Sequence, residues 1–187
     1  MIYVVGLGIE GISSLSRRAL KLINDATLLI GGKRHLALFP EFKGERVVIG
    51  SNLDYIFKVL NRKSQIVNRK SSVVLATGDP NFFGIADFII KRFGKGAVEI
   101  IPNVTTMQEA FARIKEGWGD ARFLSVHGRN RSQKSEVRSQ KGNTFSEIID
   151  EIVCHDKVGI FTDPVNTPSR IARALSDRGI KDYKVYV

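Results

Sequence analysis

Short apolar runs alternate along the chain with longer segments in which apolar residues recur every three to four positions. The short runs are rich in β-branched residues and end at glycine, proline or asparagine, which is typical of buried strands, whereas the longer segments indicate amphipathic helices. The pattern predicts strands at 2–5, 26–30, 46–49, 73–76, 97–101, 122–126, 157–161 and 183–187. It predicts helices at 15–23, 53–60, 85–93, 104–115, 145–154 and 169–176, and a short helix that ends before Pro40.

This regular alternation predicts an α/β fold in which mostly parallel sheets are flanked by helices. The break that begins at Pro102 predicts two lobes, residues 1–102 and 103–187, with a cleft between them. Ser13 and Ser14 are the expected caps of the first helix, because a serine oxygen accepts hydrogen bonds from the free N–H groups of a first helical turn.

The strand predicted at 73–76 ends abruptly at Thr77-Gly78-Asp79-Pro80. Gly78 has access to backbone angles closed to other residues and Pro80 fixes its own φ, so a rigid turn with one carboxylate is expected. Ligands of open α/β sheets bind beyond the carboxyl ends of the strands, which makes this turn a candidate ligand site. Pro102-Asn103-Val104-Thr105-Thr106 is a second candidate. The structural alternatives are a turn that only ends a strand and threonines that only cap a helix.

A glycine loop, Gly6-Leu7-Gly8-Ile9-Glu10-Gly11, follows the first strand and matches the G-x-G-x-x-G pattern of dinucleotide-binding proteins. That pattern calls for an acidic residue after the second strand, but Gly31-Gly32-Lys33-Arg34 stands there. An NADP-binding oxidoreductase, with Lys33 and Arg34 on the 2′-phosphate, is one hypothesis. The other is structural, because glycines also let a strand turn tightly.

The net charge of +10 is concentrated in two polar segments, residues 61–71 and 129–142, each of which carries +4. These segments are either solvated loops or a basic rim that attracts a polyanionic ligand. A basic RNA-binding module is a weaker alternative, because no aromatic residues are interleaved with the basic ones. The sequence therefore favours a protein that does not bind nucleic acid.

Cys154 is the only cysteine, which excludes an internal disulfide and fits a reducing compartment. His35, His127 and His155 are dispersed, so no protein-bound metal is expected. No apolar run reaches the ~20 residues of a membrane span, and the amino terminus lacks the features of a signal peptide. A cytoplasmic protein without membrane contact is therefore expected.

Five motifs together resemble those of the tetrapyrrole methylases, the S-adenosylmethionine-dependent enzymes of corrin and sirohaem synthesis. They are Val4-Val5-Gly6-Leu7-Gly8, Gly31-Gly32-Lys33-Arg34-His35-Leu36, the segment 76–84, the segment 102–113 and Ser125-Val126-His127-Gly128-Arg129. Within the family the pattern is most similar to the enzymes of cobalamin (vitamin B12) biosynthesis that methylate C5 of cobalt-precorrin-7 or precorrin-6Y. Methylation at another ring position stays open. The resemblance implies two α/β lobes with the methyl donor in the cleft, a homodimer, and a first glycine loop that is not a dinucleotide site.

Carried over by motif position, the resemblance also implies two sets of binding residues. The S-adenosylmethionine site would comprise Ile9, Gly78, Asp79, Pro80, Phe82, Thr105 and Thr106. The carboxylates of an anionic corrinoid would be bound by Lys33, Arg34, His35, His127 and Arg129. Alignment of the reacting groups supplies most of the rate in such a transfer, so no catalytic base is assigned and His127 is only a candidate proton acceptor.

Two departures from the family qualify these expectations. The chain ends at Tyr186-Val187, where relatives usually continue, so a short second lobe is expected. It also lacks the fused domain that some relatives carry for C15 methylation and decarboxylation, so a separate protein is expected to perform that step.

Overall fold

The computed structural model describes residues 1–50, 52–64, 71–126 and 145–187, apart from the side chains of residues 63 and 64. It confirms the α/β class. The described residues divide into two compact units, Met1–Arg113 and Ile114–Val187. The lobe boundary expected at residues 102 and 103, and the cleft between the lobes, stay predictions.

The first unit is built on a five-stranded, fully parallel sheet with the strand order β3-β2-β4-β1-β5. Its strands are β1 (Ile2–Leu7), β2 (Leu28–Gly31), β3 (Glu45–Val48), β4 (Ser72–Thr77) and β5 (Val98–Ile101). Its helices are α1 (Arg17–Asp25), α2 (Lys33–Ala37), α3 (Leu53–Ser64), α4 (Ala86–Phe93) and α5 (Thr106–Ile114), with 3₁₀ turns at Gly11–Ser14 and Lys95–Ala97.

The central strand β4 is buried on both faces, since Val73, Val74 and Leu75 are each at most 1% exposed. Such continuous apolar strands are typical of parallel sheets that are covered by helices on both sides. On one side, α1 packs Ala19 and Ile23 into the same hydrophobic cluster as Val73 and Leu75.

All five strands run the same way, so their carboxyl ends share one edge of the sheet. The register pairs Gly6 with Ala76 and Leu7 with Thr77, so β1 and β4 end level with each other. We call this edge, with the loops that follow Leu7, Gly31, Thr77 and Ile101, the carboxyl edge. The four motifs of the first unit on which the family resemblance rests all reach this edge.

The second unit contains a parallel pair of strands, β6 (Arg122–Ser125) and β7 (Val158–Phe161), and two helices, α6 (Phe145–Val153) and α7 (Pro168–Asp177). The helices bury one apolar face against this pair. The resulting cluster consists of Leu124, Val126, Ile148, Ile149, Ile152, Ile171 and Leu175.

The strand predicted at 183–187 is wrong, because residues 181–187 have no regular secondary structure. Tyr183 instead packs against the second core, and its hydroxyl lies 2.7 Å from the carbonyl oxygen of Ile152 and 2.9 Å from that of His155. The last residue, Val187, is fully exposed. Tyr183 thus closes the end of α6 and adds no strand to the sheet.

The cap predicted for the first helix is also wrong. Ser16 caps α1, with its hydroxyl accepting a hydrogen bond from the Ala19 N–H at 3.1 Å. Ser14 ends the preceding 3₁₀ turn, and its hydroxyl accepts from the Gly8 N–H at 2.9 Å. Among the described helices, none combines the length and hydropathy needed to cross a membrane.

Candidate functional site

The ends of β1 and β4 are packed backbone against backbone at the carboxyl edge. Gly78, with φ +61°, donates its N–H to the Leu7 carbonyl at 2.6 Å, and its own carbonyl accepts from the Asn103 N–H at 3.2 Å. A Cβ atom at Gly6 would lie only 1.8 Å from the Gly78 carbonyl oxygen. Gly6 is therefore required for the close approach of these two loops.

The Asn103 side chain joins the loop after β5 to the glycine loop. Its Nδ2 lies 3.2 Å from the Gly6 carbonyl oxygen, 3.0 Å from that of Ser14 and 3.2 Å from the Ser14 hydroxyl. Its Oδ1 accepts from the Val104 N–H at 2.8 Å. Since Ser14 also holds the Gly8 N–H, one amide fixes both ends of the glycine loop.

The Asp79 turn is closed by its own side chain. Oδ1 of Asp79 accepts from the Asn81 N–H at 2.8 Å, and the Asp79 carbonyl accepts from the Phe82 N–H at 2.9 Å. No described residue donates a hydrogen bond to Oδ2. One oxygen of the half-buried carboxylate thus holds the turn.

The segment after this turn is tightly wound. The Pro80 carbonyl accepts from the Ala86 N–H at 3.1 Å, and a Cβ at Gly84 would lie 2.3 Å from the same oxygen. Phe83 adopts φ 54°, a left-handed conformation that is uncommon for a residue other than glycine. Its ring packs edge-on against that of Phe82, with centroids 4.9 Å apart. The turn therefore holds two aromatic side chains in a strained backbone.

Helix α5 begins with a capping box. The Thr105 hydroxyl accepts from the Gln108 N–H at 3.1 Å, and the Gln108 side-chain oxygen accepts from the Thr105 N–H at 2.8 Å. Thr105 is buried beneath Gly78, where an added Cβ would lie 2.8 Å from the Thr105 Cα, while Thr106 is exposed. The hydroxyl of Thr105 is thus a helix cap, as the structural alternative had it, and its place in a ligand site stays a prediction.

Helix α2 brings two cations and a histidine to the carboxyl edge. Lys33 and Arg34 are exposed at its start, and His35 Nε2 lies 3.0 Å from the Thr77 hydroxyl. Burial lowers the pKa of His35 below its ordinary value of 6.5, and the neighbouring Arg34 charge lowers it further. His35 is therefore neutral near pH 7.

The carboxyl edge collects most of the predicted binding residues. Those that lie there are Ile9, Lys33, Arg34, His35, Gly78, Asp79, Pro80, Phe82, Thr105 and Thr106. His127 and Arg129 lie outside the described residues, so their roles stay predictions. Among the described residues, no group of three or more histidine, cysteine, aspartate or glutamate side chains is arranged to hold a metal ion.

Sequence reasoning assigned no specific role to Asn103 or to the Thr77 hydroxyl, and it assigned Ser14 only to a helix cap. The position of Asn103, directly after a proline at the end of a strand, was a visible signal for its role. No local pattern marks the contacts of Ser14 and Thr77, because Ser14 is 89 residues from its partner Asn103 and Thr77 is 42 residues from its partner His35.

Comparisons with known proteins agree with this arrangement. The family model described as Tetrapyrrole (Corrin/Porphyrin) Methylases matches residues 1–187. The chain is 35% identical over 179 residues to the cobalt-precorrin-7 C(5)-methyltransferase of Salmonella typhimurium, covering 96% of this chain and 79% of the relative. It is 33% identical over 130 residues to the precorrin-6Y C(5,15)-methyltransferase [decarboxylating] of a Sinorhizobium species, covering 67% of this chain and 30% of that protein.

Among solved structures, the methyltransferase CobJ superposes with a TM-score of 0.69 at 18% identity. That match covers 94% of this chain and 75% of the CobJ chain, and it supports the fold. The full-length family match and the Salmonella relative confirm the resemblance inferred from the motifs. The chain belongs to the tetrapyrrole (corrin/porphyrin) methylase family.

Proposed function

We propose that this methylase transfers a methyl group from S-adenosylmethionine to C5 of a cobalt-precorrin-7 or precorrin-6Y type of corrinoid, in cobalamin biosynthesis. The observation that carries the proposal is the 35% identity, over 96% of the chain, to a cobalt-precorrin-7 C(5)-methyltransferase. Methylation at another ring position is the alternative within the family. The NADP and RNA hypotheses have no counterpart among these relatives and are not retained.

The carboxyl edge has the chemistry needed for the methyl donor. Oδ2 of Asp79 is oriented by the Oδ1–Asn81 hydrogen bond, so it would accept from a hydroxyl or ammonium group of the donor. Ile9 and Val104 are 46% and 49% exposed on the two loops that Asn103 joins, and with Phe82 they offer apolar surface for an adenine ring. S-adenosylmethionine thus fits the residues present.

A corrinoid precursor carries many carboxylates, and positively charged side chains lie at the start of α2. Lys33 and Arg34 are exposed there and would bind carboxylates through charge-assisted hydrogen bonds. His127 and Arg129 complete the proposed substrate contacts.

Catalysis in this proposal is mainly a matter of positioning. A sulfonium donor supplies an activated methyl group, so the residues of the chain have to bind, align and shield the reactants. Asp79 and the glycine-packed loops hold the donor, and the α2 cations hold the acceptor. No metal enters the proposed reaction, and His127 is the candidate that would take up a proton.

The assembly and cellular context are further parts of the proposal. We propose a cytoplasmic homodimer that works beside a separate C15-methylating, decarboxylating protein. The last point is supported by the names of the relatives, because the Salmonella protein is a C(5)-methyltransferase and the Sinorhizobium protein a C(5,15)-methyltransferase.

The decisive experiment is product analysis with purified protein, methyl-labelled S-adenosylmethionine and cobalt-precorrin-7. Carbon NMR of the product is expected to show the label on C5. A label on another carbon would establish the alternative ring position, and absence of transfer to any corrinoid would refute the proposed function.

The donor site is tested with Asp79→Asn, which keeps an oxygen for the Asn81 N–H but replaces Oδ2 by an amide donor. We expect calorimetry to show roughly a tenfold or greater loss of S-adenosylmethionine affinity, the cost of one hydrogen bond to a charged group. Asp87→Asn, on the exposed face of α4, is the control. Undiminished affinity in the Asp79 variant would remove this residue from the site.

The substrate side is tested with the double variant Lys33→Ala/Arg34→Ala. Lys43→Ala/Lys95→Ala removes the same charge from exposed positions just before β3 and β5, at the opposite edge of the sheet. We expect the first pair alone to raise the KM for the corrinoid, with donor affinity unchanged. An equal rise in KM in both double variants would show that the corrinoid responds to the net charge of the protein, and it would contradict the site assigned to Lys33 and Arg34.

A further inference from the structure

The Thr77 side chain stands between the two halves of the proposed site. Thr77 is the last residue of β4, directly before the Gly78-Asp79 turn, and its side chain is exposed at the carboxyl edge. Its hydroxyl lies 3.0 Å from Nε2 of His35 on α2, the helix that carries Lys33 and Arg34. The hydroxyl is thus directed to the side of the turn where the cations are.

The surroundings of the His35 ring determine the direction of this hydrogen bond. Nδ1 is buried and has no hydrogen-bond partner in the described part of the chain. A proton on Nδ1 would create a buried N–H without an acceptor, one of the rarest arrangements in folded proteins. The neutral ring therefore carries its proton on Nε2, and Nε2–H donates to the Thr77 oxygen.

This direction fixes the role of the hydroxyl. An isolated threonine hydroxyl rotates and either donates or accepts. Once its oxygen accepts from His35, its hydrogen is left to point away from the ring, towards the exposed side. The pair thus presents a preorganised donor to an incoming acceptor oxygen.

We infer that the Thr77 hydroxyl is a specificity-determining contact that donates a hydrogen bond to a carboxylate of the corrinoid, and that His35 is its positioning residue. This inference rests on the proposed function and deepens it, because it replaces direct substrate binding by His35 with action through Thr77. A carboxylate is the chosen acceptor because Lys33 and Arg34 attract anions to this side. The Asp79 carboxylate, two residues further on, suits the cationic donor instead.

The test compares substitutions that keep or remove each hydrogen-bonding group. Thr77→Ser keeps the hydroxyl, while Thr77→Val removes it at nearly constant shape. His35→Gln keeps an N–H donor at the reach of Nε2, while His35→Leu removes it. Steady-state kinetics with cobalt-precorrin-7 give KM and kcat for each, and calorimetry gives the affinity for S-adenosylmethionine.

We expect Thr77→Val to raise the corrinoid KM roughly tenfold or more, the loss of a hydrogen bond to a charged group, while donor affinity is unchanged. Thr77→Ser is expected to stay close to the wild-type KM. His35→Leu should raise KM as Thr77→Val does, and His35→Gln should recover much of the loss, which a merely structural role would not predict. If Thr77→Val does not fold, Thr77→Ala and the His35 pair carry the test.

Different results would refute the proposed function and the inference about Thr77. A wild-type protein that methylates no corrinoid refutes the proposed function. An active wild type whose Thr77→Val variant keeps its corrinoid KM overturns the inference alone. A parallel loss of donor affinity in that variant also overturns it, since Thr77 would then belong to the donor site.

Discussion

Substitution of Gly6 by alanine tests whether the carboxyl edge depends on direct contact between two backbones. The added Cβ would lie 1.8 Å from the Gly78 carbonyl oxygen, 3.0 Å from the Gly78 carbonyl carbon and 3.0 Å from the Asn103 nitrogen. All three atoms belong to main chain, so no change of rotamer relieves the contact. The ends of β1 and β4 would have to separate by more than an ångström.

The expected cost follows from what this separation disturbs. Three hydrogen bonds cross the contact: Gly78 N–H to Leu7 O, Asn103 N–H to Gly78 O, and Asn103 Nδ2–H to Gly6 O. Each contributes about 1 kcal/mol net to stability. Overpacking of a tight site adds about 1–3 kcal/mol when the backbone has to shift. If half of the hydrogen bonding is kept, the free energy of unfolding falls by about 2.5–4.5 kcal/mol, a large part of the 5–15 kcal/mol typical of a domain.

Urea unfolding followed by circular dichroism measures this loss, and calorimetry measures S-adenosylmethionine binding by the folded fraction. Gly96→Ala is the matched control, because a Cβ there meets nothing within 4 Å. The control is expected to be neutral or slightly stabilising, since alanine restricts the unfolded chain. A Gly6→Ala protein whose unfolding free energy lies within about 0.5 kcal/mol of the control, with unchanged donor affinity, would refute the close-approach explanation.

Three further predictions address the elements that hold the edge. Thr105→Val, which removes the α5 cap, should cost about 1 kcal/mol of stability in urea unfolding, and an unchanged midpoint would contradict the role of the capping box. Asn103→Ala should lower the free energy of unfolding by about 2 kcal/mol and weaken donor binding, because the Asn103 amide holds both ends of the glycine loop. Loss of stability without loss of donor binding would show that Asn103 has only a structural role. His35 has a lowered pKa in the folded protein, so its neutral ring contributes stability that is present above pH 6.5 and lost as the pH falls through the folded-state pKa. Between about pH 7.5 and pH 5, the free energy of unfolding should therefore fall more for the wild type than for His35→Gln. Identical pH profiles of the two proteins would contradict this.

The regular elements of the first unit were predictable because their signals are local. The strand at 73–76 is a continuous apolar run, and so are the residues of β1 that pair with it. Such runs are typical of strands buried in a parallel sheet, as both strands are. The predicted strand at 183–187 had the same local signal but no pairing partner among the described residues. Strand formation depends on a neighbour to pair with, and that is a tertiary property which propensity does not report.

The contacts that shape the candidate site were mostly beyond local reasoning. Ser13, Ser14 and Ser16 are equivalent caps on composition alone. In the folded chain Ser16 caps α1, while the Ser14 hydroxyl accepts from the Gly8 N–H. The bond between His35 and Thr77 likewise depends on β2 and β4 being neighbours in the sheet. Recognition of the motifs located the edge, but only packing shows which side chains remain free to meet a ligand.

At the glycine loop, packing separates the two hypotheses that the motif leaves open, a dinucleotide site and a tight structural turn. A dinucleotide cradle uses its glycines to let a pyrophosphate approach the backbone. At Gly6 that space is filled by the protein itself, because the Gly78 carbonyl oxygen stands where a Cβ would be. At Gly8 the corresponding space is bounded by the side chains of Asn103 and Ser14. These glycines therefore allow β1 to pack against the Asp79 turn and the start of α5. The glycine loop is thus less suited to a dinucleotide, and Asp79 is the polar contact that we propose for the donor.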